Sequence, residues 1–201
     1  RCACYHLPIH IRPRFRQMRT EKEKMLAEEP YNSVDPQLVE ERLRARELCQ
    51  QLNNLSPRAP DAERQEVLSS LFGKPTNAYV TPPFACDYGT NIELGDSVYF
   101  NFNCVVLDVA KVIIGNNVLF GPAVQIYTAT HPMDPVQRRS GIESGKTIRI
   151  GNDVWVGGAA VICPGVTIGD GAVIGAGSVV VRDIPAGVFA AGNPCKVVRT
   201  L

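Results

Sequence analysis

Every sixth residue from 150 to 180 is a β-branched aliphatic: Ile150, Val156, Ile162, Ile168, Ile174 and Val180. Two positions before each stands a second row, Ile148, Val154, Ala160, Val166, Ala172 and Ser178, whose side chains shrink toward alanine and serine. One step after the large row come Gly151, Gly157, Gly169 and Gly175, with Cys163 and Val181 breaking the series. A helix repeats about every 3.6 residues and a strand about every 2, so neither sustains this period. A fixed hexad predicts a parallel β-helix, each repeat supplying one short strand and a glycine-assisted corner. One large and one small inward residue per hexad let stacked coils fill a narrow core in columns.

The same phase appears earlier as Ile92, Val98 and Cys104 and, after a two-residue offset, as Val112, Val118 and Val124. The segment 131–147 abandons it. Pro132, Pro135, Arg138, Arg139 and Lys146 cannot all point into a core, so this stretch is expected to leave the coil as a loop. Long loops that interrupt a rigid scaffold tend to carry function. Ahead of the coils, 20–75 reads as a helical cap. A short charged helix from Thr20 is halted by Pro30, a second starts at Asp35-Pro36 and runs through Leu38, Leu43, Leu48 and Leu52, and a third covers Asp61 to Phe72 before Gly73. The carboxylate-then-proline start and the glycine stop are the expected helix punctuation. Such helices would close the lower end of the β-helix at 76–201, as terminal caps of repeat proteins must.

At 201 residues the chain can bury one core with a small accessory element. Its net charge of +1 gives no global field for nucleic acid or an anionic membrane. No apolar run reaches the roughly 20 residues of a membrane span. Seven cysteines, odd in number and scattered, fit reduced thiols and a cytoplasmic location, with Cys2 and Cys4 unassigned. Residues 1–19 hold five arginines and no acid. They read as a poorly ordered arm, either a transit-like presequence or, as the preferred reading, an upstream tail foreign to the fold with Met18 as the natural start.

Of three histidines, His6 and His10 lie in that arm, which leaves His131 as the imidazole of the folded domain. A lone histidine is by default structural or merely exposed. One launched from a rigid coil into a proline-fixed loop is also placed to act as a general base.

The stretches Asn101-Phe-Asn-Cys-Val-Val-Leu-Asp108, Tyr127-Thr-Ala-Thr-His131-Pro-Met-Asp-Pro-Val, Gly151-Asn-Asp-Val-Trp155-Val-Gly-Gly and Ala191-Gly-Asn-Pro-Cys-Lys-Val-Val-Arg199 resemble the hexapeptide-repeat O-acetyltransferases. The maltose O-acetyltransferase branch is the nearest in pattern, with galactoside and nodulation-type acetyltransferases as cousins. The resemblance runs from about Thr20 to Leu201 and includes Arg42-Leu-Arg-Ala-Arg46. It implies a left-handed β-helix assembled as a homotrimer, with acetyl-CoA in the groove between neighbouring coils and no metal. By this resemblance His131 is the general base that deprotonates a hydroxyl of a small sugar, and Asn101 helps to hold the reacting groups. Without the family match, a turn or ladder role would be the preferred reading of Asn101. Asp87 and Glu143 match positions that line the sugar site, with a solvated loop carboxylate as the plain alternative. Gly158, Ala176 and Gly177 match positions where pantetheine lies on the coil, and Arg182, Lys196 and Arg199 match its phosphate and adenine contacts. The galactoside cousins carry aspartates where this chain has Ser33 and Val109, which favours glucose or maltose. Trp155 is expected to pack structurally.

Several rivals stand beside this reading. A β-helical carbonic anhydrase of the γ type needs three imidazoles around each zinc, which one usable histidine per chain cannot supply. A galactoside, serine or xenobiotic acetyltransferase would share the histidine and the coenzyme groove. A non-catalytic assembly module would need neither.

Overall fold

The computed structural model describes residues 19–201. The expectations for the arm, Met18, Cys2 and Cys4 lie outside the described residues. The hexad folds as a parallel β-helix with three flat faces. Face one stacks Ile92–Leu94, Val112–Ile114, Ile148–Ile150 and Thr167–Ile168. Face two stacks Tyr79–Val80, Tyr99–Phe100, Leu119–Phe120, Trp155–Val156, Val173–Ile174 and Val188–Ala191, with Lys196–Thr200 added antiparallel at its end. Face three stacks Phe84–Cys86, Cys104–Leu107, Gln125–Tyr127, Val161–Ile162 and Val179–Val180. Ile150 pairs with Ile168, Val156 with Ile174 and Ile162 with Val180, so each coil is three hexads long.

Both inward rows are buried along their whole length. Ser178, the one hydroxyl among them, donates to Gly175 O at 2.6 Å and accepts from Gly192 N at 3.1 Å, which meets the cost of placing an OH in the core. The earlier series belongs to the smaller row, because Val112 pairs with Ile148. Its larger row is therefore Leu94, Phe100 and Val106, then Ile114, Phe120 and Ile126. Phe100 and Phe120 stack at 4.6 Å, so aromatic rings fill the lower coils where aliphatics fill the upper ones.

The glycine row serves a different end from the one its sequence suggests. None of Gly151, Gly157, Gly169 and Gly175 has a positive φ. A Cβ on Gly157 would stand 2.5 Å from Ala176 N, and one on Gly169 would stand 2.4 Å from Ala186 N. These glycines let successive coils touch, and they leave no room for a ligand. The left-handed corner falls two residues later, at Asp153, Ala159, Gly165, Gly171 and Gly177. A hexad row of mixed residue type hid it. Gly157→Ala should therefore lower unfolding stability by about 1–3 kcal/mol, as overpacking against rigid backbone does. Denaturant unfolding measures this, and an unchanged midpoint would refute the packing role.

Helix α1 spans Glu21–Leu26, α2 Pro36–Asn54 and α3 Asp61–Phe72. Thr20 and Glu23 form a reciprocal capping box. Asp35 caps α2 through Gln37 N and Leu38 N, and Gly73 ends α3 at φ 70°. The buried stripe of α2 is Leu38, Ala45, Cys49 and Leu52, and Leu43 turns outward. Leu52, Leu68, Leu71 and Phe72 share one core with Ala78, Val80 and Phe84, so α2 and α3 seal the first coil. Trp155 does not pack inside. It lies between inward Val154 and Val156 and is 54% exposed on face two beside Leu119, its register partner.

Departures from the hexad gather on one edge of the prism, where face three turns into face one. Leu94 pairs with Ile114 and Val106 with Ile126, a spacing of three hexads plus two residues. The extra residues fall in 108–111, and the segment 87–91 makes the same turn in the coil below. The 131–147 excursion leaves from that edge too, but it is more ordered than a loop. Ala129–Thr130 and Ile142–Gly145 form a hairpin around α4, Pro135–Arg139, and the second hairpin strand also pairs with Tyr31–Asn32 from the cap. Asp134 caps α4 ahead of Pro135, the same signal that announced α2.

Candidate active site

The edge between faces three and one holds a cleft of about 300 Å³ lined by Ser33, Arg42, Arg46, Asp87, Val109, His131 and Glu143. Each comes from a segment that leaves the hexad or from the cap. Asp87 and Val109 stand on the two wide corners, His131 and Glu143 on the hairpin, and Ser33, Arg42 and Arg46 on the cap.

Glu143 organises the hairpin. Tyr31 Oη donates to its Oε2 at 2.8 Å, and the other oxygen, Oε1, lies 3.8 Å from His131 Nε2. Burial, followed by the adjacent Glu143 charge, pushes the Tyr31 phenol far above its ordinary range, so it stays a proton donor to the carboxylate. The His131 side chain is 58% exposed and that of Glu143 15%. An imidazolium formed at His131 would thus face a sheltered negative charge. Across the cleft, Arg42 donates to Tyr88 Oη and to the Ser33 carbonyl, both at 2.6 Å. Burial raises the Asp87 carboxyl and Glu143 raises it further, while Arg42 and Arg46 pull it back.

Asp108 supports this floor from beneath. It is fully buried, and its Oδ1 accepts the backbone N–H groups of Asp87 at 3.0 Å and Tyr88 at 2.9 Å. Its Oδ2 has no partner. Burial pushes its pKa up to about 7, against the two N–H donors that favour the anion. A carboxyl raised above its unfolded value binds more protons in the native state between about pH 4 and pH 7. Its contribution to stability therefore falls as pH rises through that window. Asp108→Asn keeps the acceptor oxygen and should flatten this slope. Thermal unfolding from pH 4 to pH 8 checks it, and an unaltered slope would assign the pH dependence elsewhere.

Asn101 is not in this cleft. It sits on the edge between faces two and three, with face three separating it from His131 within the chain. Its Oδ1 accepts the Phe102 N–H at 2.8 Å, which leaves the Nδ2 end available to a ligand. It takes no part in the polar ladder of Asn116, Asn152 and Asp170, which runs up the edge between faces one and two. Gly158, Ala176 and Gly177 lie on the same edge as Asn101. Ala176 and Gly177 are exposed, and a Cβ on Gly177 would meet nothing within 4 Å, whereas one on Gly158 would stand 3.0 Å from Pro122 O. Arg182 and Lys196 line a second cleft of about 300 Å³ at the C-terminal end of face three, with Val181, Pro194 and Cys195. Arg199 stands apart from them, over the Phe189 ring at 5.9 Å.

Sequence reading passed over Tyr31 and gave Arg42 and Arg46 no role in the cleft. The two arginines were accessible to it as an i, i+4 pair on one helix face. Tyr31 carried no local signal, because its partner lies on a distant hairpin. Among the described residues no cluster of three or more His, Cys, Asp or Glu is placed to hold a metal, and no helix is long and apolar enough to cross a membrane. The five described cysteines are free.

A capped β-helix whose irregular edge gathers histidine, carboxylates and arginines defines a class that comparison with known proteins makes specific. Residues 24–76 match the maltose acetyltransferase hexapeptide capping motif, and 147–182 match the bacterial transferase hexapeptide of six repeats. Nodulation protein L of Rhizobium meliloti (strain 1021) is 50% identical over 179 residues, covering 89% of this chain and 98% of the relative. The crystal structure of a maltose O-acetyltransferase from Clostridium difficile 630 superposes with a TM-score of 0.89 at 46% identity, covering 91% of this chain and 98% of that one. A galactoside acetyltransferase in complex with coenzyme A gives 0.86 at 40% identity, covering 91% and 92%. The chain belongs to the hexapeptide-repeat O-acetyltransferases.

Proposed function

We propose that this protein transfers the acetyl group of acetyl-CoA to a hydroxyl of a small sugar of the glucose or maltose type, as a cytoplasmic homotrimer with its active sites between subunits. The observation that carries the reading is the His131, Glu143 and Tyr31 chain at the rim of a cleft that also holds Asp87. His131 takes the proton of the acceptor hydroxyl, whose oxygen attacks the thioester carbonyl. Asn101 Nδ2 donates to the oxyanion of the tetrahedral intermediate, a contact worth about 3 kcal/mol where it is direct. Collapse expels the coenzyme thiolate, which recovers the proton from the imidazolium. Glu143 stabilises that imidazolium, and Asp87 accepts hydrogen bonds from neighbouring sugar hydroxyls.

The coenzyme is assigned to the edge of Gly158, Ala176 and Gly177, with Arg182, Lys196 and Arg199 meeting its phosphates and adenine. A galactoside acetyltransferase of the same family in complex with coenzyme A supports coenzyme binding as such, and the exposure of Ala176 and Gly177 supports the choice of this edge. Because Asn101 and His131 occupy different edges of one chain, a site that uses both takes them from two subunits. Exposed Leu119 and Trp155 on face two supply apolar surface for such an assembly. Ser33 and Val109 both line the cleft and neither carries a charge, which favours glucose or maltose over galactosides. Thiol release from acetyl-CoA with glucose, maltose and a galactoside tests the proposal. Turnover should be highest with the first two, and absence of transfer to every sugar would favour the assembly-module reading.

A further inference from the structure

Arg64 on α3 is only 4% exposed, and its Nε has no hydrogen-bond partner. None of the ion pairs among the described residues involves it. A guanidinium cannot relieve burial by losing its proton, and buried charges are paired as a rule. Its neighbour is the Tyr79 ring, 5.2 Å from the guanidinium carbon, a cation–π contact that leaves the in-plane N–H donors unspent.

Arg64 borders a cleft of about 520 Å³ between the cap and the first coils, shared with Asn53, Tyr79, Thr81 and Phe102. Asn53 is committed to the backbone of Phe84, through both its amide oxygen and its amide nitrogen at 2.9 Å. Arg64 is thus the charge that the cleft offers. Tyr79 and Phe102 are 45% and 52% exposed and give it aromatic walls. Thr81 and Phe102 stand on the same edge as Asn101, and Phe102 follows it directly. The cleft continues that edge from Asn101 toward the cap, in the direction opposite to Gly158, Ala176 and Gly177.

We propose that this cleft is a distal acceptor subsite, which holds an anionic group, carboxylate or phosphate, on a second sugar unit of the acceptor. The inference rests on the sugar-acetylation reading, since it treats Asn101 as the marker of the reacting hydroxyl. The guanidinium fork suits the paired oxygens of either anion, and the aromatic faces suit the C–H surface of a sugar ring.

Calorimetric titration without coenzyme tests binding separately from turnover. The probes are maltose, a glucuronic-acid-terminated disaccharide and a phosphorylated disaccharide, against wild type, Arg64→Gln and Phe102→Glu. Phe102 is exposed, so glutamate there keeps the fold and offers Arg64 a competing carboxylate. Wild type should bind at least one acidic probe about tenfold more tightly than maltose, and both variants should lose that preference. Which acidic probe binds distinguishes carboxylate from phosphate. Equal binding of all three by wild type would overturn the proposal. So would a preference that survives in both variants, or a trimer structure with a carboxylate of the partner subunit seated on Arg64. Acidic preference without acetyl transfer to any sugar would uphold the anion site and defeat both the acetylation reading and the assignment of that site to an acceptor.

Discussion

His131→Ala should lower kcat for acetyl transfer about 10³-fold, within the range a general base contributes, while acetyl-CoA binding stays within about twofold of wild type. The geometry explains both halves. His131 is largely exposed on the hairpin and has Glu143 Oε1 as its charged neighbour, so its removal takes away a proton acceptor without opening the core. The residues assigned to coenzyme lie on other parts of the β-helix. Steady-state rates with maltose and equilibrium binding of acetyl-CoA measure the two effects separately. Near-native rates would remove His131 from the mechanism, and lost coenzyme binding would make its role structural.

Asn101→Ala is expected to cost about 10²-fold or more in kcat, the usual cost of losing one oxyanion donor. Its oxygen is held by the Phe102 N–H, so the substitution also removes a turn contact. Asn101→Asp separates the two roles. Aspartate can keep the turn but presents an oxygen where the NH₂ stood, so it should restore stability and leave the rate low. A variant that regained native rate with aspartate would exclude oxyanion donation.

The inward rows of the β-helix were legible in the sequence because a column of stacked side chains admits one periodicity. The glycine row misled, since close coil contact and a left-handed corner both select glycine. Only the coordinates separate Gly157, pressed against Ala176, from Ala159 at φ 57°. Strands of two or four residues carry little pattern, so the hairpin reads as a loop in the sequence, and Tyr31 pairs with Glu143 across 112 positions. The Asp134-Pro135 cap is the one local sign of its short helix. His131 could be singled out by its place in the interruption. Its separation from Asn101 could not, because which edge a residue occupies depends on the two-residue insertions and not on the hexad alone. Nothing in the sequence sets Arg64 apart from other helix charges, and its burial without an ion-pair partner is visible only in the structure.

One active site is expected to take His131 and Asn101 from different subunits, and subunit mixing tests this directly. His131→Ala and Asn101→Ala chains, each nearly inactive alone, are co-expressed in equal amounts with distinct tags, and mixed trimers are isolated and assayed. Each mixed trimer has both native residues at one of its three boundaries, so activity should return to about a third of the wild-type level. Mixed trimers no more active than their parents would place both residues in a single-chain site and rule out a site shared between subunits.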